Sequence, residues 1–452
     1  MIPRIVVAGT SSGAGKTSVA CGLIAALRTR GLVVQGFKVG PDYIDPSYHA
    51  LASGRPGRNL DAFLSGPSLI APLARHGAAG ADIAVIEGVM GLFDGASGRG
   101  ELASTAHVAK LLRAPVLLVV DAASMARSAA AIVHGYRTFD PDVEIAGVVL
   151  NKVGSDDHVE LLREAIEPLG VPVVGALRRD ERLAAPERHL GLVPAIEREG
   201  RTRAAIDALG EAVEAHVDLD GVLALARTAP QLTVSPWSPA VAAVDGGATI
   251  AIARGPAFSF HYEENLELLQ AAGAQLAGFD PLRDEALPQG AGALVLAGGF
   301  PEIFGEELSA NVPLREQVGA FAHSGRPVLA ECGGLLYLCE ELDGLPMCGA
   351  IGASGQMAGR LSIGYREATA LGESALWEQG ETVRGHEFHY SSVQPGEGAA
   401  AAAWMLAARG RTVREGFAGG GVHASYLHVH WAAFPGAARR LVEAATRQPA
   451  WA

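Results

Sequence analysis

The stretch "RIVVAGTSSGAGKTS", Arg4 to Ser18, decides how the first half of this chain folds. "RIVVA" is a continuous apolar run of the length and β-branched character of a buried parallel strand. The glycines that follow free the backbone to turn its N–H groups toward an anion, and "TSVACGLIAALRTRG" continues as a helix closed by Gly31. Strand, Gly-rich loop and helix in that order make a phosphate cradle, with Lys16 as a point charge and Thr17 as a hydroxyl ligand for Mg²⁺. The strict spacing G-x-x-x-x-G-K-[ST] asks for glycine where Thr10 stands, and Gly9 precedes it instead. The loop Thr10, Ser11, Ser12, Gly13, Ala14, Gly15, Lys16 and Thr17 is therefore read as a nucleotide site, with a merely structural glycine turn as the competing reading.

Outward from this loop the pattern repeats. "VVQGFKVG", "ADIAVIEGV", "APVLLVVDA" and "VEIAGVVLNKV" are further apolar strands separated by helical patterns, which predicts a parallel sheet covered on both faces. Residues 229–247, with Pro230, Pro236 and Pro239, carry no helical periodicity and read as a linker. Strand signals restart at "ATIAIAR", followed by "ENLELLQAAGAQ" as a helix, then "ALVLAGGF" and "PVLAECGG". The expectation is two doubly wound α/β domains: a phosphate-binding unit over 1–228 and a second over 248–445. The Ala-rich "EGAAAAAWMLAARG" stands out as low-complexity.

Composition narrows the classes. The chain has 452 residues, 49% of them hydrophobic and only 19% charged, enough for large cores and for two or three domains. A formal net charge of −13 and the lack of a basic run argue against a nucleic-acid partner. No apolar run reaches the roughly 20 residues of a membrane helix, and the phosphate loop begins too early for a signal peptide. Cys21, Cys332, Cys339 and Cys348 form no paired framework, which suits a reducing cytoplasm.

Carboxylates at predicted strand ends complete the first site. Asp42 and Glu87 are placed where an open parallel sheet gathers ligands and are candidates for Mg²⁺, each with a helix or turn cap as the competing role. Asp45 and Asp94, farther along the same loops, reach toward a second substrate, with Tyr43 helping to orient it. Arg55 and Arg58 are candidate clamps for carboxylates, against a solvated loop charge. Asn151 offers a donor and an acceptor that match an adenine edge, against a strand-end turn.

The second half has its own signature. In "AECGGLLYL", Cys332 follows an apolar strand and precedes a glycine pair, so a thiol on a tight strand-to-helix turn meets a helix N-terminus, where the dipole is expected to lower its pKa. Backbone N–H groups at Gly333 and at Gly299 of "LAGGF" are candidates for an oxyanion site. A buried structural cysteine is the alternative. "HASYLHVHW" supplies His423, His428 and His430 as possible bases, and "GHEFHY" adds His386 and His389. His386, His389 and His423 are read as satisfied core groups, and no histidine spacing matches a zinc pattern.

Lys38 with "VGPDYIDP", "GRPGRNLD", "EGVMGLFDG" and "PERHLGLVPA", in this order, resembles the cobyrinic acid and hydrogenobyrinic acid a,c-diamide synthases of corrinoid biosynthesis over almost the whole chain. The first half is also similar, more distantly, to dethiobiotin synthetase. The second half resembles class I glutamine amidotransferase domains of the cobyric acid synthase type. The resemblance implies ATP-dependent activation of a carboxylate, with Lys16, Lys38 and Thr17 around the phosphates and Asp42 and Glu87 near Mg²⁺. It also implies glutamine hydrolysis at Cys332 with His428 of the "YLH" motif as its base. Other class I enzymes place a Glu two residues after that histidine, where this chain has His430, so the third member of a triad is not located by sequence. The implied partners are ATP, L-glutamine and a corrinoid polycarboxylate, with a homodimer possible and ammonia passing from one domain to the other. The rivals are amidation of nickel sirohydrochlorin, a cobyric acid synthase, and a nucleotide switch of the MinD or ParA type.

Overall fold

The computed structural model describes residues 2–179, 199–396, 399–408, 411–448 and 451. It divides into two compact units, Met1–Ser238 and Pro239–Ala452.

In the first unit seven strands form one sheet: β1 (Arg4–Gly9), β2 (Val34–Val39), β3 (Arg58–Leu60), β4 (Ile83–Glu87), β5 (Val116–Asp121), β6 (Ile145–Val153) and β7 (Val173–Arg178). Their order is β3-β2-β4-β1-β5-β6-β7, and every neighbouring pair is parallel. β1, β2 and β4 are buried at every position, which follows from sequences with no polar face between two helical layers. The chain leaves β1 toward one edge and β5 toward the other, so a crevice opens at their carboxyl ends, the usual ligand site of such sheets.

The expected linker is not a free tether. Arg4, 3% exposed, donates to Pro230 O (2.6 Å), and Trp237 N donates to Pro72 O (2.9 Å), which fastens residues 230–237 to the first unit. Val244 N donates to Ala272 O (2.9 Å), which fastens the following residues to the second.

The second unit carries two sheets. β8 (Ala248–Ala253), β9 (Ala274–Phe279), β10 (Ala291–Leu296) and β11 (Val328–Glu331) build most of the first. After the short β12 (Glu341–Leu342) and β13 (Leu345–Pro346) comes the long hairpin of β14 (Ala353–Ala370) and β15 (Thr382–Pro395). Then follow β16 (Trp404–Ala408), β17 (Arg411–Glu415), β18 (Phe417–Gly419), β19 (Val422–Ser425) and β20 (His428–Val429). The order β18-β19-β11-β10-β8-β9 is parallel except at β18, while β14 and β15 pair antiparallel in the second sheet.

Within the expected α/β class, some segments of the second unit differ in detail from the sequence reading. The helix read through Gln275 is Glu263–Ala271; Gly273 at φ 98° ends it, and "AQLAGF" is β9. The Ala-rich stretch holds β16, because Trp404 is fully buried against Trp377 and turns an apparently featureless segment into part of the core. The motif "PERHLGLVPA" lies outside the described residues. Among the described residues no helix is long and apolar enough to cross a membrane.

Candidate active sites

The phosphate loop leaves β1 at Gly9, and the helix Lys16–Thr29 begins where the sequence places it. Ser11, Ser12 and Gly13 are exposed and Ala14 is buried. Gly15 sits at φ 97°, and a Cβ there would stand 2.0 Å from Asn151 Nδ2, so both conformation and contact require glycine. Lys16, 7% exposed, folds back along the loop and donates to Ser11 O (3.0 Å) and Met90 O (2.6 Å). Tyr136 Oη donates to Thr10 O (2.5 Å) and braces the other side of the loop.

Beneath the loop lies a buried charge cluster. Register pairs Lys38 of β2 with Glu87 of β4, and both side chains are sealed. Lys38 Nζ reaches Asp45 Oδ2 (2.6 Å), Glu87 Oε1 (2.8 Å) and Gly88 O (3.0 Å). Thr17 Oγ1 donates to the same Glu87 oxygen (2.6 Å), and His49 Nε2 lies 2.7 Å from the other. A carboxylate only accepts, so Nε2 carries the proton of that bond. Burial acts to lift the Glu87 pKa, but Lys38 and the His49 bond overcome it and hold the group ionised. Burial acts oppositely on Lys38, yet Asp45 and Glu87 raise its pKa and keep it charged. Burial and then the Asp42 and Glu87 charges push Asp45 up.

Several expected roles change on these facts. The ammonium of Lys38 has three donors, and its three partners are protein oxygens, so it anchors carboxylates rather than pointing at phosphate. Asp45 turns inward to Lys38 instead of reaching toward a second substrate. Asp42 takes the capping role: its Oδ1 accepts from Ile44 N (2.7 Å) and Asp45 N (3.3 Å) at the start of the helix Ile44–Ser53. Asp94 closes its own turn by accepting from Gly91 N (2.9 Å), with an exposed carboxylate. Arg55 is not a substrate clamp; it donates to Gln35 Oε1 (2.8 Å), Gly77 O (3.1 Å) and Ala79 O (2.9 Å), at the end of β2 away from Lys38. Arg58 is drawn to the same place, its Cδ lying 2.6 Å from where a Cβ on Gly77 would be. The carbonyl end of the helix Pro67–Gly77 suits both cations. Asn151 spends its amide on the loop, donating to Ala14 O (3.0 Å) and accepting from Lys152 N (3.0 Å). Tyr43 is half-buried and stands at the N-terminus of the helix Ile44–Ser53.

Sequence reading passed over His49 and Asn59. His49 follows Asp45 by one helical turn, the spacing that brings both to the cluster. Asn59 donates to Gly40 O (2.8 Å) and Asp42 O (2.7 Å) and fixes the loop between them.

In the second unit Cys332 stands at the end of β11 with φ 47° and ψ −98°, a strained turn for a residue with a side chain. Its N–H is held by Ser425 O of β19 (2.7 Å). A Cβ on Gly333 would meet Gly299 N at 2.9 Å, so the two expected oxyanion segments lie against each other. A Cβ on Gly298 would stand 2.5 Å from His428 Cε1, which brings that imidazole onto the same glycines. Cys332 is 5% exposed. The expected lowering of its pKa is reversed: burial raises it, the Glu302, Glu331 and Glu387 charges add to this, and only the Gly333 N–H opposes. The helix after it, Gly333–Leu338, is six residues long.

Burial keeps His386, His389 and His423 neutral, but not all are satisfied. Burial lowers His386 to about 3 and His423 to about 4, and neither Nδ1 has a partner among the described residues. His389 lies stacked 3.6 Å over Tyr426, with Nδ1 against Ser391 O (2.8 Å). All four cysteines are free.

A phosphate loop on one unit and an elbow cysteine facing glycine backbone on the other belong to chains that join a nucleotide-binding unit to a glutamine amidotransferase unit. Comparison with known proteins agrees for each half. Residues 5–193 match the CobQ/CobB/MinD/ParA nucleotide binding domain, and residues 249–436 match the CobB/CobQ-like glutamine amidotransferase domain. Over 98% of its length the chain is 55% identical to the hydrogenobyrinate a,c-diamide synthase of Streptomyces coelicolor, covering 97% of that protein. It is 52% identical to the hydrogenobyrinate a,c-diamide synthase of Mycobacterium bovis, again over 98% of this chain and 97% of that one. The cobyrinate a,c-diamide synthase of a Synechococcus strain is 44% identical over 95% of this chain and 96% of its own. The chain belongs to the a,c-diamide synthase family.

Proposed function

We propose that this enzyme amidates the a and c acetate carboxylates of hydrogenobyrinate, using ATP to activate each carboxylate and glutamine as the nitrogen source. The observation that carries this reading is one chain holding both a phosphate loop and an elbow cysteine, at 55% identity to a hydrogenobyrinate-named relative. Identity to the cobyrinate-named relatives is 44–45%, which favours the cobalt-free macrocycle.

A carboxylate is a poor electrophile. Its oxygen attacks the γ-phosphorus of ATP, ADP leaves, and the acyl phosphate is then open to ammonia at its carbonyl carbon. Phosphate leaves and the amide nitrogen loses a proton. Lys16 has only to swing from the Ser11 and Met90 carbonyls to meet phosphate oxygens. Thr17 and Glu87, 2.6 Å apart, supply a hydroxyl and a carboxylate that suit Mg²⁺ riding on phosphate, which needs few protein ligands; no cage of three metal-binding side chains exists among the described residues. Such an ion would draw charge off the transferring phosphoryl group. Lys38, His49 and Asp45 hold Glu87 in place for it.

At the other site the Cys332 thiolate attacks the glutamine carboxamide, ammonia leaves, and water cleaves the thioester to glutamate. The test is purified protein with ATP, Mg²⁺ and glutamine, offered hydrogenobyrinate or cobyrinate separately, with mass change counted per amide. Two amidations of hydrogenobyrinate at the higher kcat/KM support the reading. Faster turnover of cobyrinate, or turnover of neither, overturns it.

A further inference from the structure

His428 needs something to fix its tautomer, and the position that carries a glutamate in other class I enzymes is occupied here by His430. His430 is turned elsewhere: its Nε2 lies 3.4 Å from Glu264 Oε2, both side chains are 1% exposed, and its ring packs on Tyr262. A carboxylate nevertheless reaches His428. Glu331, the residue immediately before the nucleophile, ends β11 with its Oε2 3.4 Å from His428 Nδ1. We propose that Glu331 is the positioning carboxylate of the glutaminase site, so that a single dipeptide, Glu331-Cys332, supplies both the nucleophile and the group that orients its base.

The reason lies in how the turn is built. Along a regular strand neighbouring side chains point to opposite faces. Cys332 breaks that alternation by taking φ 47°, and the peptide after β11 folds back while its N–H stays bound to Ser425 O. Ser425 is the register partner of Glu331 across β11 and β19, and His428 follows it by three residues. The strand that holds the nucleophile's backbone thus leads directly to the base. Glu331 is 9% exposed and His428 1%, so their contact is little screened by water.

An ionised carboxylate accepts only, so Nδ1 of His428 carries its proton toward Glu331 and Nε2 is left as the basic nitrogen. Nε2 then takes the Cys332 proton as sulfur bonds to the carboxamide carbon, and gives it to nitrogen as the C–N bond breaks and ammonia leaves. A water proton passes to Nε2 as its oxygen attacks the thioester, and returns to sulfur as glutamate departs. Glu331 stays ionised throughout and faces the imidazolium at each half-step.

The inference rests on Cys332 and His428 being the glutaminase pair, and the experiment separates the two claims. Glutaminase rates against pH are measured on the full chain for Glu331→Gln, Glu331→Asp, Glu264→Gln and Cys332→Ala, with tryptophan fluorescence melts to certify folding. Glu331→Gln is expected to lose about 10²–10⁴-fold in kcat with little change in KM for glutamine, the scale seen when a base loses its orienting carboxylate. Its acid limb should move to lower pH, because a carboxylate beside the imidazolium is gone; His386, His389 and Glu387 of β15 also lie within electrostatic reach of His428 and remain. Glu331→Asp should restore part of the rate and the parental limb, and Glu264→Gln should keep both. A folded Glu331→Gln with parental kcat and parental acid limb overturns the proposal, as does a Glu264→Gln that shows the loss instead. Normal glutamine hydrolysis by Cys332→Ala would sink the underlying reading, and the proposal with it.

Discussion

Around Glu87 an ammonium, an imidazole N–H and a second carboxylate close on one another within hydrogen-bond distance, whereas around Cys332 much of the polarity is backbone and the thiol is held neutral. Each arrangement fits its task. A site for a polyanion must keep cations and carboxylates desolvated yet compensated before the ligand arrives, because an unpaired buried charge costs several kcal/mol. A site for a thiolate has the opposite need: the charge should exist only while a base and an oxyanion cradle attend it, so burial, strain and glycine backbone surround the thiol in place of a paired cation. The first site stores charge in pairs and the second makes charge on demand.

The most drastic way to break this comparison is to remove one centre at a time. Cys332→Ala should cut glutamine-dependent synthesis by more than about 10⁴-fold, since loss of a nucleophile leaves only binding and the oxyanion cradle. Synthesis with concentrated ammonium should persist. Lys16→Ala should lower synthesis about 10²–10³-fold with either nitrogen source, because phosphoryl transfer precedes ammonia attack. Steady-state rates with glutamine and with ammonium check both, and a Lys16→Ala enzyme impaired with glutamine alone would contradict the division of labour.

A second test asks whether the buried cluster is structure or ligand contact. Lys38→Met leaves Asp45 and Glu87 facing each other without their cation, and should cost about 3–5 kcal/mol. Urea unfolding of parent and variant measures it. Unchanged stability, with a raised KM for ATP, would return Lys38 to the phosphates.

Much of this was legible in the sequence, and what was not has a physical cause. Strand, loop and helix at Arg4–Thr29 are local: apolar run, glycines and helix period are all within one window. The elbow at Cys332 is equally local, and its glycine pair announces it. The partners were not. Lys38, Asp45, Glu87 and His49 come from two strands and a helix, and which end of Lys38 faces which carboxylate depends on β2–β4 register. Arg55 and Arg58 stand three residues apart in one motif, and the chain turns Arg55 to the Gly77 carbonyl and lays the Arg58 side chain beside Gly77. Glu331 was hidden by its neighbour, because strand alternation would send it away from the cysteine's side and only the strained φ of Cys332 undoes that rule. The pKa of Cys332 was misjudged because a helix dipole is visible in sequence while desolvation is a property of the finished core.

The smallest effect concerns the neutral histidines that line the second unit, and it sharpens the contrast, since no such group is needed to make a thiolate. His423 of β19 is sealed edge-on against Trp404 at 5.1 Å, and burial alone lowers it to about 4 from an ordinary value of 6.5. The folded chain therefore keeps the ring neutral while the unfolded chain takes up a proton as pH falls below 6.5. The stability due to this residue is present above 6.5 and is lost progressively as pH drops toward 4. At pH 5.5 the loss is about 1.4 kcal/mol, one unit of differential protonation. His261, His386 and His389, also depressed by burial, slope the same way, whereas Glu415, raised to about 7 by burial, slopes oppositely between about 4.5 and 7. The effect must therefore be read as a difference. His423→Phe and the parent are melted at pH 7.5 and 5.5 and followed by tryptophan fluorescence, to which Trp377, Trp404, Trp431 and Trp451 of this unit contribute. The parent should lose about 1.4 kcal/mol more than the variant between the two pH values. Equal losses would mean that His423 takes up its proton in the folded chain too, and that the core around Trp404 admits water.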